Sequence, residues 1–581
     1  MAYLFLSLTT AQIEQRRKQL DQTGFYAWLT PIIILLAVYA YQKVISSENA
    51  QNPPAMQALT PLQTLKRRVS WTLNTTYIPE FGPLKVQLTG VVYVLWLLYL
   101  VFRNTGEDYM HLTKAFGHVA ISQLPIQYLL SVKTAYSPIT FATGLTHEKL
   151  NAYHRLLGRI IHGLLAAHAV MYMRFFIILD VLSKRIQHRD VRLGLAAFWA
   201  FNILGLLAVP PIRKRVYYKL FYRSHVALSA FVVPLLFFHV SYTQKYMLQA
   251  GVIWVVGGAM RGRASTKARV TCRQVQGTDL IEVSVAIDDK ASPLLRATPG
   301  QHVYIQHKTF GPKNPFSIVD ASHSPNSEKS TGNITLVVRN LKGPQTGFLA
   351  ALATDKRSGG HEISIEGPYG ESGQYLQRLL STSGSEDTST SNHQIVLVAG
   401  GVGATYTLPI YQALLRAGTG KGTGGVKFIW LVRSLDDTQW AHPILETLVD
   451  PVDIDIYVTR RTRSRDDEAR RHETFSRPLF NKPGVTLHFS PQEGSRPTIS
   501  SIVGPVLSSS SSPGPDPTAS RTVERGERHM PRSHDGNGKL TVLSCGPPAL
   551  VRDLRREVGR HVALYGRDVE FFEEQFGFGG S

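Results

Sequence analysis

Long apolar runs crowd the first ~260 residues, and after Met260 they give way to short strand-like runs separated by turn residues. In the first part the runs fall at about Tyr26–Tyr41, Leu84–Phe102, Phe116–Val132, Ala152–Leu179, Leu193–Val209, Ser224–Tyr242 and, shorter, Leu248–Met260. Most approach the ~17–25 residues that a helix needs to cross a bilayer core, so six to seven membrane helices are predicted. In the second part Leu280–Ile287, His302–Gln306 and Ile334–Val338 read as strands. The polar, Ser/Thr-rich stretch 379–393 reads as a linker. Beyond it Gln394–Ala399 is an apolar strand, Gly400-Gly401-Val402-Gly403 a tight turn, and Thr405–Arg416 a helix. Val426–Val432, Ile454–Val458 and Leu540–Ser544 continue the alternation, which predicts a parallel, doubly wound sheet. The outline is residues 1–80 with one membrane helix, 81–262 membrane domain, 263–378 β domain, 379–393 linker and 394–581 α/β domain. A low-complexity Ser/Pro insertion at about 505–536 is predicted to be disordered.

Within the apolar part, four histidines form two pairs, His154/His168 and His225/His239, each separated by 14 residues. Fourteen residues advance a helix by ~1400°, within ~40° of four full turns, and raise it by ~21 Å. Each pair is therefore predicted on one helical face, near the two ends of a bilayer-length span. Two such helices facing each other offer two stacked bis-imidazole sites, one for each of two haems. Twenty histidines in 581 residues make roughly one pair at this spacing by chance. Two occur, both inside apolar runs, where ionisable residues are costly and mark function. His162 lies about 80° from the face of its neighbours and reads as structural. His111, His118 and His188, with Met110, Met171 and Met173, have no fixed spacing and read as scattered.

A net charge of +21 raises the question of nucleic acid. The basic residues instead flank the apolar runs, as in Lys66-Arg67-Arg68, Arg213-Lys214-Arg215 and Arg261 to Arg269, which is the signature of cytoplasmic loops. No nucleic-acid partner is expected; the partner is the bilayer. With the part after Met260 cytosolic, His154 and His225 fall on the inner side and His168 and His239 on the outer side. Arg16-Arg17-Lys18 and Lys184-Arg185 then lie outside, against the trend. The two cysteines, Cys272 and Cys545, allow no disulfide framework in the exterior loops.

The strand–glycine turn–helix at Gly400, Gly401 and Gly403 is the arrangement that sets a phosphate against backbone N–H groups at a helix N-terminus. Arg433 ends the next strand, where a basic side chain favours the 2′-phosphate of NADPH over NADH. The last strand runs into Cys545-Gly546-Pro547.

Together with His154-Arg155-Leu156-Leu157-Gly158-Arg159, Pro299-Gly300-Gln301-His302-Val303, Asn314-Pro315-Phe316-Ser317-Ile318 and Glu573-Glu574-Gln575-Phe576-Gly577-Phe578, these residues resemble the ferric reductase/NADPH oxidase superfamily, in particular fungal ferric-chelate (metallo-)reductases. The resemblance runs from about Phe81 onward. It implies a membrane domain holding two b-type haems, then a ferredoxin-NADP reductase-like module made of an antiparallel FAD-binding β-barrel and an α/β NADPH domain. His154, His168, His225 and His239 would ligate haem iron. Asn314 stands where the family usually has His, and it cannot be a cation. Asn314, Pro315, Phe316 and Ser317 would belong to the FAD site, Phe316 packing on the flavin ring and Ser317 reaching its reactive edge. Arg339, Gly343 and Thr346 would approach the FAD pyrophosphate. Gly400, Gly401 and Gly403 would hold the NADPH phosphates, and Cys545, Gly546 and Pro547 would border the nicotinamide. Phe578 would be the aromatic beside the flavin, a place where family members often carry Trp. The implied activity is plasma-membrane transfer of electrons from NADPH through FAD and two haems to iron or copper chelates outside. Production of superoxide from O₂, and a non-enzymatic membrane protein with a vestigial reductase tail, stay open at this point.

Overall fold

The computed structural model describes residues 3–51, 61–78, 81–134, 137–215, 218–288, 292–307, 313–323, 332–355, 360–381, 393–418, 425–459, 483–489, 497–508 and 539–574. Phe578 and most of the Ser-rich insertion lie outside the described residues. Two compact units divide the chain, one of residues 1–54 with 73–264 and one of residues 55–72 with 265–576.

The first unit is helical. It begins with α1 (Thr10–Gln51); α2 (Pro61–Thr75) belongs mainly to the second unit. The two-residue strands β1 (Tyr77–Ile78) and β2 (Gly82–Pro83) then pair ahead of α3 (Leu84–Phe102). There follow α4 (Tyr109–Ser122), α5 (Leu124–Leu129), α6 (Pro138–Thr143), α7 (His147–Ile178), α8 (Leu182–Arg185), α9 (Arg189–Ala208), α10 (Pro210–Arg215), α11 (Tyr218–Phe237) and α12 (Ser241–Arg263). Among the described residues, five helical stretches are long and apolar enough to cross a membrane: 10–44, 84–102, 147–178, 189–208 and 220–237. Their outward faces are apolar, with Val91, Val92 and Leu95 on α3 and Trp199, Ile203 and Leu206 on α9 all exposed, as a lipid-facing surface requires.

Two of the expected spans are broken. The run Phe116–Val132 is not one helix: α4 ends at Ser122 and Pro125 sits in the first turn of α5. Proline has no N–H to continue the ladder but suits a helix start. The run Ser224–Tyr242 ends early as well, because Pro234 removes a bond from the last turn of α11 and the chain turns after Phe237. Arg16, expected in an exterior basic cluster, is instead 11% exposed and ion-paired with Asp108 at the start of α4. An inward, neutralised arginine does not count against the basic-loop pattern.

In the second unit β3 (Ser265–Gln274), β4 (Leu280–Ile287), β5 (His302–Gln306), β6 (Asn314–His323), β7 (Gly332–Arg339) and β8 (His361–Tyr369) close an antiparallel barrel in the order β3-β4-β7-β6-β5-β8. Alternate residues of β4, such as Ile281, Val283 and Val285, point into its core. Helix α13 (Pro344–Thr354) follows β7, and α14 (Ser372–Ser381) extends three residues into the expected linker.

A six-stranded parallel sheet comes next, built from β9 (Gln394–Gly400), β10 (Val426–Val432), β11 (Ile454–Val458), β12 (Val485–Phe489), β13 (Lys539–Cys545) and β14 (Asp568–Glu574), in the order β12-β11-β10-β9-β13-β14. Its helices are α15 (Ala404–Arg416), α16 (His442–Glu446), α17 (Ile499–Ser508) and α18 (Pro548–Tyr565). The residues 505–508, expected to open the disordered insertion, complete α17, with Leu507 buried in the sheet's core. All seven residues of β9 are buried, the continuous apolar run of a strand covered on both faces. From β9 the order runs outward to β10, β11 and β12 on one side and to β13 and β14 on the other. The β9/β13 junction is therefore the sheet's switch point, where α/β folds open a binding crevice.

Candidate functional site

Helix α7 carries both His154 and His168, so the face argument holds for this pair. His225 lies in α11, but His239 lies two residues past its end, in a tight turn closed by its own N–H on the Leu236 carbonyl at 3.2 Å. The second pair therefore does not share one helix. The rings of His154 and His225 nevertheless come together, with centroids 6.3 Å apart and planes at 68°. A metal held between two imidazole nitrogens at about 2 Å, with roughly 1 Å more to each ring centre, needs about this separation. His168 and His239 lie within each other's electrostatic reach.

Each of three rings is oriented by a backbone carbonyl. His154 Nδ1 is 3.2 Å from Gln127 O, His168 Nδ1 2.8 Å from Thr113 O, and His239 Nδ1 2.7 Å from Asp190 O. A carbonyl only accepts, so Nδ1 carries the proton and Nε2 is left with its lone pair free for a metal. This is how ligating histidines are normally held. Glycines make the room. A Cβ at Gly117 would lie 2.7 Å from the His168 ring, and one at Gly194 would lie 2.6 Å from the His239 ring. Gly158 likewise accommodates the Gln127 amide, which itself approaches His154 Nε2 at 3.5 Å. His225 Nδ1 is buried with no hydrogen-bond partner among the described residues. The His154/His225 donor pair fits a bis-imidazole metal centre.

In the barrel, β5 and β6 pair His302 with Ser317, Val303 with Phe316, Tyr304 with Pro315 and Ile305 with Asn314. Ser317 is buried, and Phe316 packs against the barrel core. Beside Asn314, Lys313 is ion-paired with the buried Glu366. Arg339 ends β7, with Asp279 3.1 Å from Nε and Asp437 3.5 Å from Nη2. Burial raises the Asp437 carboxyl above its ordinary pKa while Arg339 opposes the shift. An anion arriving at Arg339 must compete with these carboxylates. Gly343 caps α13, with its N–H on Thr346 Oγ1 at 3.2 Å. Next to it Gln345 is buried; its Oε1 lies 2.6 Å from His307 Nδ1, and its Nε2 has no partner among the described residues. A buried, unsatisfied donor at a helix N-terminus is costly unless a ligand accepts from it. These groups fit a dinucleotide's phosphates.

At the switch point the sheet brings together the residues expected to bind the nucleotide. Ala399 and Cys545 are register partners, which puts Gly400, Gly401 and Gly403 beside Cys545, Gly546 and Pro547. A Cβ at Gly400 would come within 2.6 Å of Leu550 and 2.7 Å of Pro547, and one at Gly403 would strike the Cys545 carbonyl. Gly401 has φ +56°, and its carbonyl accepts from Trp430 Nε1 at 2.9 Å. Its Cβ position lies 3.5 Å from Arg339 Nη1, so the barrel's arginine and the nucleotide turn share one place. Arg433 is exposed just past β10. Burial, with Glu574 adding, pushes the Cys545 thiol well above its ordinary pKa, so it is no thiolate nucleophile.

The sequence did not disclose a cluster at the end of β14. Glu574 Oε1 lies 3.2 Å from Nδ1 of the buried His302, across the barrel rung from Ser317. Nearby the Tyr375 and Tyr406 hydroxyls are 2.6 Å apart, and Tyr375 stacks on Phe572 with centroids at 4.2 Å. His302 and Glu574 each sit in a recognised motif, but nothing in their spacing joins them.

Helices bearing paired histidines, followed by a flavin-type barrel and a nucleotide-type parallel sheet, define a membrane-bound reductase architecture. The chain matches three family models in succession: "Ferric reductase like transmembrane component" over residues 116–236, "FAD-binding domain" over 265–373 and "Ferric reductase NAD binding domain" over 392–559. It is 22% identical over 497 residues to Ferric reductase transmembrane component 3 of Saccharomyces cerevisiae, covering 82% of this chain and 63% of that protein. A "Probable metalloreductase AIM14" of Yarrowia lipolytica is 24% identical over 364 residues, 61% of this chain and 60% of that one. Ferric/cupric reductase transmembrane component 2 of S. cerevisiae is 22% identical over 523 residues, 85% and 67% respectively. The chain thus spans about two thirds or less of the length of these relatives. Together these matches support a member of the fungal ferric-chelate reductase family.

Proposed function

We propose that this protein is a transmembrane NADPH-dependent ferric- or cupric-chelate reductase, with its FAD/NADPH module in the cytosol and its acceptor on the far side of the plasma membrane. When bound, FAD would supply hydride acceptance from NADPH and two b-type haems would supply single-electron transfer toward the chelate. The residues' part is to hold and orient. Gly400, Gly401 and Gly403 leave backbone N–H groups open to the nicotinamide cofactor's phosphates, and Cys545, Gly546 and Pro547 border the crevice. Phe316 and Ser317 present a face and a hydroxyl to the flavin, while Arg339, Gly343, Thr346 and Gln345 receive its phosphates. His154 with His225, and His168 with His239, supply the haem ligands.

The observation that carries this reading is the set of carbonyl-oriented imidazoles, each with Nε2 left to ligate. Ligation by two histidines would suit a haem to electron transfer better than to binding O₂ at the metal. The test is a spectrum of isolated membranes: NADPH should reduce a b-type haem band, and absence of any haem band would end the proposal.

Arg433 is the proposed contact to the 2′-phosphate. Losing a hydrogen bond to a charged group costs ~1.5–3 kcal/mol, about ten- to a hundredfold in affinity. Arg433→Ser should raise the KM for NADPH by that factor and leave the KM for NADH within about twofold. Equal effects on both would remove Arg433 from this role.

A further inference from the structure

Helix α2 is a 15-residue segment with no fully buried residue, too short to be stable as an isolated helix. Three of its five partly buried positions, Thr64, Arg67 and Trp71, fall at i, i+3 and i+7, one helical stripe, and all three meet the nucleotide domain. Trp71 fits a notch at Gly559 in the middle of α18, where a Cβ would lie 2.6 Å from the indole Nε1, and it meets Phe571 of β14 edge-on at 6.0 Å. A mid-helix glycine costs about 1 kcal/mol against alanine, and the indole gives this one a reason. Arg67 Nη1 donates to the Gly566 carbonyl at 3.2 Å, capping the negative end of α18, and its Nη2 lies 3.5 Å from Asp568. Thr64 packs on Gly566. Strand β14, the exposed edge of the parallel sheet, is thereby partly covered.

The chain on either side of α2 belongs to the membrane unit, since α1 precedes it and α3 follows. Lys66-Arg67-Arg68 is therefore more than a charged flank: Arg67 faces the reductase while Lys66 and Arg68 are exposed. We propose that α2 is a brace by which the loop between the first two membrane helices grips α18 and β14 of the NADPH domain, and that this grip sustains electron delivery from the reductase unit to the membrane helices. The second half of this rests on the function proposed above.

The test uses the full-length protein in its membranes, with Trp71→Ala and Gly559→Leu. Amide exchange across α2 and 566–574 should quicken about tenfold in each variant. NADPH-driven haem reduction should slow at least threefold while NADPH-driven reduction of ferricyanide, taken directly from the flavin, stays unchanged. A Trp71→Cys/Gly559→Cys pair should crosslink under mild oxidation and recover the haem reduction rate, losing it again with reductant. Unchanged exchange in both point variants, or no crosslink, would show that the grip does not exist. Faster exchange with an unaltered haem rate would reduce α2 to a cover for the sheet edge and overturn the proposed role. Exchange and crosslinking need no haem, so a missing haem signal would count against the proposed function and not against the grip.

Discussion

Membranes carrying His168→Ala should retain about half of the b-type haem absorbance and lose NADPH-driven chelate reduction by ~100-fold or more. Second-sphere changes at a metal site cost about 10–100-fold, and removal of a ligand should cost no less. His168 is held by the Thr113 carbonyl and wedged against Gly117, and His162 on the same helix packs against Gly205. The His154/His225 pair is independent of this change and should keep its haem, so the loss should be of one centre. Gly117→Ala should act in the same direction through the ring it would displace. Full haem content in His168→Ala would contradict the assignment of this residue as a ligand.

Gly403→Val is expected to uncouple NADPH from the flavin while leaving the membrane centres intact. Its Cβ meets the Cys545 carbonyl, which belongs to the adjacent strand and cannot rotate away. Overpacking of this kind costs ~1–3 kcal/mol, up to roughly a hundredfold, and here it falls on the crevice itself. Flavin reduction by NADPH in a stopped-flow trace should slow by at least about tenfold, whereas dithionite should reduce the haems as in the unaltered protein. An unaltered rate with NADPH would separate the β9/β13 junction from nucleotide binding.

Much of the fold was readable where local pattern and burial agree. Leu280–Ile287, His302–Gln306, Val426–Val432 and Ile454–Val458 are strands over the residues that their apolar runs indicate, because a covered or half-covered strand writes its burial directly into the sequence. The glycine turn after β9 was readable for the same reason, since only a strand followed by a helix leaves that turn at a switch point. Breaks within apolar runs were not readable. Pro125 and Pro234 end or weaken helices whose flanks are equally apolar, so hydropathy alone joined α4 to α5 and carried α11 past His239. Partnerships between distant residues were hidden altogether. Arg16 with Asp108, His302 with Glu574 and Trp71 with Gly559 are each separated by tens to hundreds of residues, and only the folded chain brings them into contact. The four histidines lay between these cases: their spacing marked them, but the carbonyls that orient three of the rings, and the glycines beside His168 and His239, come from other helices.

The central claim is that electrons cross the bilayer along the two histidine pairs. Sealed vesicles containing this protein, with NADPH trapped on the side of the FAD/NADPH module and a membrane-impermeant ferric chelate outside, test it directly. The external chelate should be reduced, superoxide dismutase should not suppress the reaction, and His154→Ala and His168→Ala should each abolish it. Reduction only after the vesicles are opened, or full suppression by the dismutase, would contradict the account.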